Sequence, residues 1–144
     1  MQAILRKRVS NSKGVTLLEL LAVLVILGII ALIAVPAIAG VIDDSRANSV
    51  KASAINMINA AELYATTNTV DISEVEYGDI KDKYVKDRSG FTWSSQDSDK
   101  PFVDTGTGIA ISGIGEIENV SVNFTEATIN DINDNSDNVT VTIK

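Results

Sequence analysis

The chain reads as an α+β protein: one long N-terminal helix, about residues 16–66, packed against a small C-terminal antiparallel sheet of 3–4 strands. Three observations predict it. From Val15 to Ile42 there are 23 apolar side chains in 28 residues and a single charge, Glu19. From Ala47 to Ala65 apolar residues recur at steps of three and four. After Gly90 the apolar period drops to two.

The first run exceeds the ~20 apolar residues that span a bilayer. It does not end in a turn. Ala47, Val50, Ala54, Met57, Ile58, Ala61, Tyr64 and Ala65 continue it as one face of an amphipathic helix, with Arg46, Lys51, Ser53, Asn56, Asn59 and Glu62 between them. The helix is therefore apolar first and amphipathic second. Residues 66–68, Thr-Thr-Asn, end it, and a short helix is expected within 73–84, carrying Val75, Ile80 and Tyr84. Strands are expected at 91–93, 109–111, 120–124 and 139–143, where apolar residues alternate with small polar ones. Gly, Asp and Asn clusters between them supply turns, and Gly106, Gly108, Gly113 and Gly115 read as hairpin glycines. Their series lacks the following Lys-Ser/Thr of a phosphate-binding loop.

Charge is unevenly distributed. Residues 1–14 carry Arg6, Lys7, Arg8 and Lys13 with no acid, a net of +4. The other 130 residues hold eight basic and nineteen acidic side chains, a net of −11. Basic residues before a span favour a cytoplasmic N-terminus and an exported C-terminus. The acidic exported portion repels phosphate backbones, so direct nucleic-acid binding by this subunit is not expected. The chain has no cysteine and no histidine. Disulfides, thiolate metal sites and the commonest general base are thereby absent, no residue constellation supports an enzyme, and no cofactor is expected.

The segment Lys13-Gly14-Val15-Thr16-Leu17-Leu18-Glu19 at the head of an apolar helix resembles the type IV pilin family over residues 7–42. The resemblance implies a basic leader, residues 1–14, clipped between Gly14 and Val15 by a prepilin peptidase. It implies methylation of the Val15 amine and polymerisation through the helices into a surface filament. Residues 15–42 then form the transmembrane and filament-core helix, 43–66 its amphipathic half, and 67–144 the globular head. Implied partners are further copies of the chain, the prepilin peptidase, a pilus assembly platform with its motor, and the bilayer before assembly. The precursor sits in the cytoplasmic membrane with its C-terminus outside. Val15 departs from the phenylalanine the family prefers as first mature residue. The lack of a C-terminal cysteine pair leans toward a disulfide-free, Gram-positive member, and the compact size suits a major subunit.

Glu19 admits two readings. Thr16 and Glu19 fit a capping box, with Thr16 as N-cap. In the filament, Glu19 would pair with the Val15 amine of a neighbouring copy. Two unit charges at 4 Å are worth ~4 kcal/mol at an effective dielectric of 20, enough to set axial register. Gly28 and Pro36 match positions where family helices loosen. Pro36 lacks an N–H and crowds the Leu32 carbonyl, so local unwinding between Gly28 and Pro36 is expected in the filament. Asp131, Asp134 and Asp137 are a candidate calcium set, since some related secretion pseudopilins bind calcium near their C-termini. The loop lacks the central glycine and distal glutamate of an EF-hand, and a solvated turn is the competing reading. Sequons at Asn119, Asn123 and Asn138 read as strand chemistry rather than glycosylation acceptors.

Two other functions compete. A pseudopilin of a DNA-uptake or type II secretion apparatus shares the same N-terminus. Alternatively, Ala37-Ile38-Ala39 could end a secretory signal and release a soluble binding domain starting at Gly40. Against the second, the apolar stretch is twice a normal signal core and Glu19 has no role in one. A single-pass anchored protein that never polymerises is a further alternative.

Overall fold

The computed structural model describes residues 16–83, 85, 91–94 and 100–144. Helix α1 runs Leu17–Asn68, 52 residues with Pro36 inside it. The chain divides into two units, Met1–Ile38 and Ala39–Lys144.

In the first unit the described residues form one helix whose large apolar side chains are all exposed, from Leu17 to Ile38. It is long and apolar enough to cross a membrane, and none of its most apolar stretch is buried by the protein. A helix hydrophobic on every side needs an apolar surround, which the described residues do not supply.

The second unit has its own core. Ala47, Val50, Ala54, Met57, Ile58, Ala60 and Ala61 are buried along one stripe of α1. Four of these seven are alanines, which let the sheet approach the helix closely. Beyond α1 come a 3-10 turn (Ile72–Glu74) and α2 (Tyr77–Lys81), which places Ile80 in the core. Tyr84, expected on this short helix, lies outside the described residues. Strands β1 (Phe91–Ser94), β2 (Phe102–Asp104), β3 (Ile109–Ile117), β4 (Val120–Thr128) and β5 (Val139–Ile143) make one sheet, with α3 (Ile129–Asp134) between β4 and β5. The order is β1-β3-β4-β5, with β2 sharing the same edge of β3 as β1, and every pairing is antiparallel.

The α+β class holds, with five strands where alternation predicts three or four. β2 is three residues long and follows Pro101, too short for a period to register. The strand expected at 109–111 continues to Ile117 because Gly113 and Gly115 occupy core-facing positions where alternation calls for apolar side chains. Those two glycines are therefore not hairpin residues. A β-carbon on Gly115 would sit 2.6 Å from Val50 Cγ1, and one on Gly113 would sit 2.5 Å from Trp93 Cζ2. They make room for α1 and for the Trp93 ring, which stacks on Phe124 with centroids 5.8 Å apart. Gly106, with φ +77°, does occupy the β2–β3 turn, where the αL region favours glycine. The pairing of β3 with β4 shifts register between Ile111 and Gly113, opposite Glu126 at φ +48°. That is a bulge, which adds local twist.

Candidate functional site

The N-terminus of α1 is built by a reciprocal cap. Glu19 N–H donates to Thr16 Oγ1 at 3.2 Å, and Thr16 N–H donates to Glu19 Oε2 at 3.3 Å. Leu20 N–H then closes the first turn on the Thr16 carbonyl at 3.1 Å. The capping box satisfies donors that the apolar turn cannot reach by other means. It also holds a carboxylate, exposed, at the positive end of the helix dipole. Gly14, Val15 and the basic leader lie outside the described residues.

Around Pro36 the helix is continuous. Gly28, Ala31, Leu32, Val35 and Pro36 line a shallow apolar notch, and a β-carbon on Gly28 would meet nothing within 4 Å. The chain by itself is helical from Gly28 to Pro36.

Where α1 leaves the apolar run, a polar clamp joins it to the β3–β4 turn. Arg46 Nη1 donates to Asp43 Oδ1 at 3.1 Å and to Asn119 Oδ1 at 2.8 Å. Asn119 Nδ2 returns a hydrogen bond to Asp43 Oδ1 at 3.0 Å, and Arg46 Nη2 pairs with Glu118. Sequence reasoning missed this group, since Asn119 read as strand and sequon. The unabsorbed signal was Asp43 and Arg46 at helical spacing where the apolar run gives way to polar residues.

Farther along, Asp131 serves as a cap. Its Oδ2 accepts from Thr128 N–H at 2.9 Å and Thr128 Oγ1 at 2.6 Å, and Thr128 Oγ1 accepts from Asp131 N–H at 3.3 Å. The Thr128 hydroxyl, then its amide, hold the Asp131 carboxyl below its ordinary 3.8. Asn135, at φ +53°, ends α3. Among the described residues no group of three or more acidic side chains could hold a metal ion. Asp131, the first of the candidate calcium set, is engaged in the cap of its own helix.

Neither a curated protein nor a solved structure matches the chain. A family model matches its N-terminal part. Residues 9–35 match the prokaryotic N-terminal methylation motif, a span that contains Gly14, Val15, Thr16, Glu19 and Gly28. The motif fits a type IV pilin-like or pseudopilin precursor. An exposed apolar helix opened by a carboxylate cap lies where that motif falls, and residues 9–35 thus carry the leader signature of type IV pilins and pseudopilins.

Proposed function

We propose that this chain is the structural subunit of a type IV pilus-like surface filament. The observation that carries the reading is the coincidence of the methylation motif with the first part of α1, whose large apolar side chains from Leu17 to Ile38 are all exposed. Peptidase cleavage falls between Gly14 and Val15, and the new Val15 amine is methylated. Residues 1–14 leave as the leader, 15–42 anchor the precursor and then form the filament core, 43–66 carry the head, and 67–144 complete it. The N-terminus starts on the cytoplasmic side, as the +4 leader favours.

Assembly follows from a balance specific to membranes. Lipid tails are as apolar as leucine, so moving α1 into a bundle of like helices gains little hydrophobic energy. Close packing and charge pairing must favour the filament, with an assembly platform and its motor drawing subunits out of the bilayer. In this reading Glu19 exchanges its own Thr16 amide for the Val15 amine of a neighbouring copy. Unwinding between Gly28 and Pro36 makes the filament extensible.

Purified surface filaments, analysed by electron microscopy and N-terminal mass, test the proposal. The expected mass begins at methylated Val15. A soluble exported protein beginning at Gly40 would overturn it. Cells that process the chain correctly yet bear no surface filament would assign it to a secretion or DNA-uptake pseudopilus instead.

A further inference from the structure

Between the carboxylates of Glu19 and Asp43 lie 23 uncharged residues, Leu20 to Ile42. As helix they measure ~35 Å at ~1.5 Å per residue, close to the ~30 Å hydrocarbon core. In an anchored precursor, α1 therefore leaves the hydrocarbon at about Ile42. Asp43 to Arg46 rise only ~4.5 Å further, inside the ~5–7 Å that headgroups add on each side. The polar clamp described above is built on this stretch.

The clamp sets the level of the sheet. Asn119 bonds both Arg46 and Asp43, which holds the two-residue turn between Ile117 and Val120 beside the start of the polar helix. The Asn119 carbonyl accepts from Lys144 N–H at 2.8 Å and brings the end of β5 to the same level. Gly115 faces Val50, one turn farther along α1, so β3 climbs away from the turn beside the helix. Its nine residues span ~27 Å, and the β2–β3 turn lies at the far end. Ile143 is the exposed apolar side chain at the near end. It pairs with buried Val120, on the α1 side of the sheet, and is 55% exposed because β5 is the edge strand. A lone exposed isoleucine needs no explanation of itself. Here the neighbouring Lys144 is two hydrogen bonds from Asp43, at the level where α1 enters lipid.

We propose that in the membrane-held precursor this end of the head rests on the bilayer surface, with Ile143 in the headgroup layer and the Glu118-Asn119 turn beside it. This rests on the anchored precursor of the filament reading and adds a lipid contact made by the head itself. Charge selects the lipid. Asp43, Asp44, Glu116 and Glu118 outnumber Arg46 and Lys144 at this end, and both bases are paired with carboxylates. A zwitterionic surface fits such an end, and an anionic one repels it. The contact is small. It suffices because the anchor holds the head at high effective concentration over the lipid.

Spin labels on the full-length precursor test this, since no native cysteine competes. Ile143→Cys, and Thr107→Cys in the far β2–β3 turn, are each labelled with a nitroxide and reconstituted at low protein density in phosphatidylcholine vesicles. Oxygen concentrates in lipid and a nickel chelate in water, so the ratio of their collision rates reads depth. The ratio is expected to be several-fold higher at position 143 than at 107, and to fall toward the 107 value as phosphatidylglycerol is mixed in. Equal ratios in phosphatidylcholine would overturn the contact and leave the anchor and the filament reading standing. A ratio at 143 that rises with phosphatidylglycerol would overturn the choice of a zwitterionic surface. Protection from both reagents that grows with protein density would also overturn the lipid contact, because a second copy then covers Ile143. A precursor that does not enter vesicles removes the anchor, and this inference with it. The unaltered chain gives a second measurement. In nanodiscs whose lipid headgroups carry a paramagnetic label, amide signals of residues 118–120 and 142–144 should broaden while those of 105–108 stay sharp. No broadening at the near end would overturn the contact without recourse to any substitution.

Discussion

At Gly115 a β-carbon would lie 2.6 Å from Val50 Cγ1 and 3.0 Å from the Phe91 ring, so alanine there must push helix and sheet apart. Overpacking of this kind costs ~1–3 kcal/mol. Gly115→Ala is expected to lower the unfolding free energy of the detergent-solubilised chain by that amount, seen as a lower urea midpoint at unchanged m. Trp93, the only tryptophan, stacks on Phe124 in the same core and reports the transition by fluorescence. An unchanged midpoint would mean the helix does not rest on β3. Asp131 supports a pH prediction. Its carboxyl is held low in the folded chain by Thr128, so the unfolded chain takes up its proton first as pH falls. The cap's contribution is complete above the ordinary carboxylate range and is lost as pH drops through the lower folded value. Asp131→Asn should flatten that part of the acid limb, measured by midpoint against pH. Glu19→Gln separates capping from charge: the amide oxygen still accepts from Thr16 N–H, but no ion pair with an amine is left. The precursor should stay in the membrane while filament yield collapses, checked by fractionation and electron microscopy.

Among the elements, α1 was the most legible, because period and run length agree over its whole course. Its observed ends, Leu17 and Asn68, fall within two residues of those expected. The buried stripe from Ala47 to Ala61 is the one that the three-and-four spacing selects. The sheet was legible only where side chains mark its faces. β4 and β5 alternate openly, whereas β3 hides half its length because a close helix and a stacked indole require Gly113 and Gly115. Helix α3 was missed for another reason: Ile129-Asn-Asp-Ile132-Asn-Asp is too short and polar for a period, though Thr128 and Asp131 carry the cap signature. Only half of the Arg46 clamp was legible in the sequence, as Asp43 and Arg46 at helical spacing, since its other partners Glu118 and Asn119 stand more than 70 residues away. It gives a prediction at this scale. Arg46 is partly buried and bonds Asp43, Asn119 and Glu118 together, so Arg46→Ala should cost about 1 kcal/mol, the upper end for such pairs. The expected readout is faster amide exchange in the β3–β4 turn, with the far end of the sheet unchanged.

For the molecule as a whole, the filament reading needs its two ends on opposite sides of a membrane, and the distribution of charge favours that arrangement. Four basic residues precede the apolar run, against two, Arg46 and Lys51, within the ~20 positions after Ile42 that count toward orientation. The bias is modest in number, but the first span in a chain usually sets the outcome, and the acids beyond Ile42 contribute little to the rule. The leader must face the cytoplasm for a peptidase there to reach Gly14, and the sheet must face outward for heads to coat a filament. A chain with no native cysteine lets both ends be located by single replacements. In spheroplasts lacking the prepilin peptidase, Thr142→Cys on β5 should react with a membrane-impermeant maleimide. Ser10→Cys in the leader should react only after lysis. The reverse pattern would place the leader outside, beyond the reach of a cytoplasmic peptidase, and remove the route by which a bilayer-held precursor becomes a filament subunit.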